Sequence, residues 1–159
     1  MKELTEEEAL YKAAAYCSSA EHCRSEVIAR LTAWGVDDGA QQRILERLVK
    51  ERYIDEARYA RFYIHDKSRF DKWGRNKIAQ GLKLKKVPSA VYAGLLDELD
   101  EEEYLDGLRT LLAAKRKHVK ARTDYERNGK LIRFALGRGY EMDAIRRCLP
   151  EADDDEFMD

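Results

Sequence analysis

The chain lacks a run approaching the roughly 18 apolar residues a membrane-spanning helix needs. It also lacks a convincing period-2 stretch with strand composition. Three cysteines (Cys17, Cys23, Cys148) among 159 residues cannot all pair within one chain. Such sparse thiols form no disulfide framework and point to a reducing cytoplasm. The opening residues are acidic and miss the basic-then-apolar order of a signal peptide, which fits a cytoplasmic place. No Gly-x-x-x-x-Gly-Lys loop is present, which argues against nucleotide hydrolysis. Gly137-Arg138-Gly139 reads as a helix stop because no strand precedes it. Cys17, His22 and Cys23 offer three soft ligands where structural zinc wants four, so no metal is expected. His65 and His118 have no partner pattern for acid–base work. The sequence reads as a protein that is not an enzyme and carries no cofactor.

What is present in abundance is charge, with 30 basic residues set against 31 acidic ones. At 38% the charged fraction is high, yet 44% hydrophobic residues leave enough apolar surface for a packed interior. The balanced total hides a layout. Residues 67–86 hold eight basic side chains and a single acid, Asp71, and residues 115–138 hold nine against Asp124 and Glu126. Seven acids sit in 97–106, and six crowd the last nine residues without a basic partner. That distribution suggests two basic surfaces.

Apolar residues recur at helical spacing throughout, and nine helices are expected. Thr5 with Glu8 reads as a capping box, and Asp37 or Asp38, Asp55 and the acids at 100–103 suit later helix starts. The third helix is expected to turn Ile44, Leu45, Leu48 and Val49 to the core. Gly35 and Gly137–Gly139 read as stops, and Pro88 suits a first helical turn. The helices repeat. A shift of 51 lays Val27 on Ile78, Leu31 on Leu82, Val36 on Val87 and Arg24 on Arg75. A further 53 carries Ile78 to Leu131 and Val87 to Tyr140. The expected fold is therefore all-α: three tandem three-helix, helix-turn-helix-like repeats in an elongated, curved array. The repeats are placed at 6–53, 54–99 and 100–149. An acidic tail over 150–159 is expected to be disordered.

With those residues in view, the chain resembles the RecX family. Ser25-Glu26-Val27-Ile28-Ala29-Arg30-Leu31 followed by Gly35-Val36 is similar to the family's first-repeat signature. So is Leu48 followed by Tyr53-Ile54-Asp55-Glu56-Ala57-Arg58-Tyr59-Ala60 and Phe62. Gly74-Arg75-Asn76-Lys77-Ile78, Leu82 and Lys85-Lys86-Val87 resemble Gly-x-x-x-Ile-x-x-x-Leu-x-x-Lys-Gly-Ile. The chain departs at Lys86, where the family favours Gly, and at Arg52, where Gly-Tyr is usual; both changes fall in turns. The resemblance implies a regulator that binds the RecA–single-stranded-DNA filament and inhibits its extension, strand exchange and ATP hydrolysis. It also implies a place in homologous recombination, DNA repair and the SOS response.

The basic surfaces are the candidate site for filament or nucleic acid. They comprise Arg69, Lys72, Arg75, Lys77, Lys83, Lys85 and Lys86 in the second repeat. In the third they comprise Lys115, Arg116, Lys120, Arg122, Lys130 and Arg133. Lys and Arg along a groove neutralise phosphates and release counterions, and they equally fit an acidic protein surface. Expected partners are RecA and, weakly, single-stranded DNA, with no membrane and a monomeric state. A helix-turn-helix DNA binder acting without RecA is the alternative. An enzyme would need a deep pocket with strongly shifted titratable groups. Of the clustered aromatics, Tyr59, Phe62 and Tyr63 are expected in the core. Phe70 and Trp73, on a basic connection, are expected to be exposed and open to base stacking.

Overall fold

Apolar periodicity and capping residues turn into nine helices in a computed structural model that describes residues 3–149. No strand occurs among the described residues. The first triplet is α1 (Glu6–Ser19), α2 (Arg24–Ala33) and α3 (Asp38–Lys50). The second is α4 (Glu56–Arg69), α5 (Arg75–Leu84) and α6 (Ser89–Asp97). The third is α7 (Glu101–Arg116), α8 (Asp124–Gly137) and α9 (Met142–Cys148). The acidic tail lies outside the described residues.

Helix starts follow local chemistry. Side-chain oxygens of Thr5, Asp37, Asp100 and Thr123 accept from backbone N–H groups at Glu8, Ala40, Glu103 and Glu126. Asp55 does the same for Arg58. Each bond satisfies a donor the first helical turn leaves without a partner.

The middle helices of the triplets end alike. The second residue after each carries a left-handed backbone: Gly35 (φ 79°), Lys86 (φ 61°) and Gly139 (φ 93°). The next amide closes a six-residue loop: Val36 N to Leu31 O at 3.0 Å, Val87 N to Leu82 O at 3.1 Å, Tyr140 N to Ala135 O at 3.1 Å. This is the Schellman stop, which wants a residue tolerant of positive φ. Glycine supplies it twice; Lys86 adopts it against the Cβ–carbonyl clash, at about 1 kcal/mol. Arg52, after α3, is held likewise at φ 62°. Both departures from the RecX pattern thus sit at left-handed positions.

By packing, the chain falls into two units. Of the described residues, one unit comprises those up to Tyr63 with Leu82–Ala93; the other comprises Ile64–Gly81 with those from Gly94 onward. The first unit buries Ala9, Ala13, Val27, Leu31, Ile44, Leu45, Leu48 and Ile54 in one cluster. Val49, expected on that face, is exposed because the buried stripe of α3 runs through Ile44, Leu45 and Leu48. In the second unit α7, α8 and α9 pack mutually around Leu105, Leu108, Leu131, Ala135 and Ile145. The rings of Tyr104 and Tyr140 meet there at 5.2 Å. Burial holds the Tyr140 hydroxyl pKa up at about 12.

Candidate functional site

The basic residues divide into those spent on internal contacts and those left facing water. In the first unit, Lys85 belongs to the former. Its Nζ lies 3.2 Å from Glu26 Oε2, and its carbonyl accepts from Ser25 Oγ at 2.6 Å and from the Cys23 thiol at 3.8 Å. Glu26 also accepts from Cys23 N, and His22 Nδ1 lies 3.3 Å away. Burial alone would push the Glu26 carboxyl up, but these donors together hold it below its ordinary value. Burial raises the Cys23 thiol, which keeps it protonated and able to donate. Lys83 and Lys86 are different: both are exposed and have no ion pair among the described residues.

In the second unit Arg75 is drawn inward, its side chain only 17% exposed. It meets Glu141 at 3.0 Å and Glu101 at 3.3 Å, donates to Leu96 O at 3.1 Å, and lies 4.2 Å over the Tyr104 ring. Desolvation opposes its charge most, but Glu141, Tyr104 and Glu101 together hold the guanidinium pKa above its ordinary value. Arg69 pairs with Glu103 at 3.1 Å, and Lys72 donates to Arg69 O at 2.8 Å. Lys77 and Lys67 sit 4.7 and 4.9 Å from the Trp73 ring. The acids of 97–106 and the cations of 67–86, apart in sequence, therefore neutralise one another in part.

The third triplet keeps more of its cations outward. Lys115, Lys120, Arg122 and Arg133 are exposed without an ion pair among the described residues. Lys115 lies 4.9 Å over the Phe134 ring. Arg116 is exposed as well. Lys130 pairs with Glu126 at 3.3 Å and donates to Lys120 O at 2.6 Å, fastening the α7–α8 connection to α8. The structure thus separates the predicted set. Arg69, Arg75, Lys85 and Lys130 make internal pairs, and Lys72 and Lys77 pack locally. The remaining seven present charge.

The aromatics divide too. Tyr59 is buried and Tyr63 half-buried, whereas Phe62, expected in the core, is 57% exposed, because the buried stripe of α4 runs through Tyr59, Ala60 and Ile64. Phe70 is 72% exposed as expected. Trp73 is half-buried beneath its two lysines, which a sequence pass over a polar connection does not reveal.

A cavity of about 310 Å³ in the second unit has His65, Arg69, Asp100, Glu103 and Tyr104 in its wall. Burial and Glu141 hold the Tyr104 hydroxyl well above its ordinary pKa. It donates to Glu141 and accepts from Arg75 N, so its hydrogen bonds are committed to structure. Among the described residues no cluster of His, Cys, Asp and Glu is arranged to hold a metal ion, and no helix is long and apolar enough to cross a membrane.

Among the contacts between successive triplets, two occupy equivalent places, and sequence reasoning missed both. The first is the Ser25–Lys85 contact above. In the second, Gly74 N donates to Arg138 O at 2.8 Å and Asn76 N to Gly139 O at 2.9 Å. The backbones meet closely: a Cβ on Gly74 would lie 2.3 Å from the Gly139 carbonyl carbon, and one on Gly139 would lie 2.3 Å from Lys77 Cβ. The signal was present in the repeat alignment, where Cys23 falls on Gly74 and Ser25 on Asn76. In both contacts the start of one middle helix receives the end of the next.

Serial three-helix units, joined through equivalent ends of their middle helices and bearing outward cations, define an all-α helical-repeat protein. Residues 55–93 match the family description "RecX, second three-helix domain", and 101–149 match "RecX, third three-helix domain". The chain is 31% identical over 147 residues to "Regulatory protein RecX" of Prosthecochloris aestuarii, covering 90% of this chain and 92% of that one. It is 30% identical over 139 residues to the protein of the same name from Halorhodospira halophila, covering 86% and 83%. The crystal structure of RecX from Lactobacillus salivarius shares the fold, with a TM-score of 0.79 at 20% identity over 92% of this chain and 95% of that one. The chain belongs to the RecX family of regulatory proteins.

Proposed function

We propose that this protein binds the RecA–single-stranded-DNA filament and inhibits filament extension, strand exchange and ATP hydrolysis. Its outward basic residues in the second and third repeats make the contact. The observation that supports this most is the set of exposed cations left without an ion pair among the described residues, at Lys83, Lys86, Lys115, Lys120, Arg122 and Arg133. In the same repeats Arg69, Arg75, Lys85 and Lys130 are committed to acids of this chain, and these six are not. A polyanion, whether phosphate backbone or acidic protein face, supplies the missing partner. The role is regulation by occupancy, because bridging neighbouring subunits of a polymer needs no chemical step.

The test measures RecA ATPase on single-stranded DNA with this protein added substoichiometrically, over a salt series. Slowed turnover that recovers as salt rises is expected. Joint replacement Lys120→Glu, Arg122→Glu and Arg133→Glu should weaken inhibition at least tenfold and flatten its salt dependence. Inhibition equal to wild type would remove the third-repeat cations from the contact. Preferential, sequence-selective binding to duplex DNA without RecA would favour the helix-turn-helix alternative instead.

A further inference from the structure

The three equivalent turns after α2, α5 and α8 differ in one respect that the fold does not require. After α2 the turn is Ala33-Trp34-Gly35, and after α8 it is Gly137-Arg138-Gly139; after α5 it is Leu84-Lys85-Lys86. Small residues lead the outer two turns and glycine takes their left-handed position. The middle turn places lysine in the left-handed conformation and a leucine before it. Leu84 is 84% exposed, the most exposed large apolar side chain among the described residues. Lys83 and Lys86 flank it, both exposed and without an ion pair among those residues.

The backbone beneath is fixed. Lys86 N bonds to Lys83 O at 2.9 Å and Val87 N to Leu82 O at 3.1 Å, while Val87 and Leu82 are buried. The Lys85 carbonyl is held by Ser25, and its ammonium by Glu26. A rigid turn therefore holds one aliphatic side chain in water between two cations. A single exposed leucine is ordinary. Here the exposed leucine stands two residues before a left-handed lysine, where the sister turns carry Ala33 and Gly137, so its side chain is an addition the turn itself does not need.

We propose that the Leu84 knuckle, with Lys83 and Lys86, is a protein-docking knob. Its partner is a protein surface that offers an aliphatic pocket rimmed by carboxylates. An aliphatic side chain has no ring to stack on a base, and lysines at its base select acids around the pocket. Preorganisation by the pinned turn keeps the ordering loss on binding small. The inference rests on the filament reading above and deepens it: here the contact is to the protein of the filament, not to its DNA.

The test compares Leu84→Ala, Lys86→Gly and wild type for binding to RecA filaments on a poly-dT strand and to the naked strand. Leu84→Ala should weaken filament binding at least tenfold while leaving naked-strand binding and Tm unchanged. Lys86→Gly should raise Tm, since it relieves the left-handed lysine, yet weaken filament binding about threefold. These opposite signs separate docking from folding. Filament binding within twofold of wild type for both variants overturns the knob, as does equal loss on the naked strand, which would mark a nucleic-acid contact. If wild type itself ignores filaments, the filament reading fails first, and the knuckle's assignment falls with it.

Discussion

The two junctions between successive triplets solve one problem with different materials. At the first, side chains bridge: Ser25 Oγ and the Cys23 thiol reach the Lys85 carbonyl, and Glu26 gathers the Lys85 ammonium. At the second, the backbones themselves meet, Gly74 to Arg138 and Asn76 to Gly139, across a gap with no room for a Cβ. The carboxylate-bearing network at the second junction is supplied from outside the contact, by Glu101 and Glu141 on Arg75. A junction made of side chains can be adjusted one bond at a time and depends on charge. One made of backbone is fixed and fails at once when its glycine is lost.

The two tryptophans report on the two units separately, since Trp34 lies in the first and Trp73 in the second. The largest effect is expected from Gly74→Ala. The added methyl would meet backbone, which cannot swing aside, so the two N–H···O hydrogen bonds must lengthen or break. Destabilisation of about 3 kcal/mol or more follows from overpacking plus stranded donors. Denaturant unfolding followed through Trp73 in a Trp34→Phe background should show the loss. An unchanged midpoint would mean that the close approach relaxes without cost. Next comes Arg75→Met, which leaves Glu141 facing the hydroxyl of the buried Tyr104 without its cation. A loss of about 2 kcal/mol is expected by the same probe.

At the first junction smaller effects are expected. Ser25→Ala removes one hydrogen bond and should cost about 1 kcal/mol, read through Trp34 in a Trp73→Phe background. Acid should act here as well. The folded Glu26 pKa lies below its ordinary value of 4.5. The unfolded chain therefore takes up this proton first as pH falls. The stabilisation is complete above about 4.5 and disappears as pH drops through the folded value. Glu26→Gln should flatten the Trp34-detected loss of stability between about pH 5 and 3 relative to wild type. An equally steep loss in the variant would place the acid sensitivity elsewhere.

Periodicity made the helices legible, and the 51- and 53-residue shifts made the triplets legible, because each apolar stripe repeats at fixed offsets from its turn. Basic runs marked where cations would lie but could not separate Arg75, turned inward onto Glu141, from Lys83, turned out. That sorting depends on partners 66 residues away in the chain, which spacing along one helix does not encode. Phe62 misled for a related reason: apolar character sets what a residue tolerates, whereas which face the neighbours cover decides its burial. The Gly74–Gly139 contact was written in the sequence as two glycines 65 apart, yet glycine also serves as a helix stop, and only packing reveals its second use.

Turn chemistry supplies the smallest expected effect and the sharpest link between sequence pattern and backbone. Arg52 stands where the RecX pattern has glycine, and its φ of 62° is the conformation that glycine adopts freely. The amides of Tyr53 and Ile54 bond to Leu48 O at 2.8 and 3.2 Å, so the turn is held whichever residue occupies position 52. Arg52→Gly should therefore stabilise the first unit by about 0.5 kcal/mol. The relief of the Cβ–carbonyl clash exceeds the added flexibility of the unfolded chain. A raised denaturation midpoint through Trp34, with no change through Trp73, is the expected result. A lowered midpoint would mean that the arginine makes contacts worth more than the strain it bears.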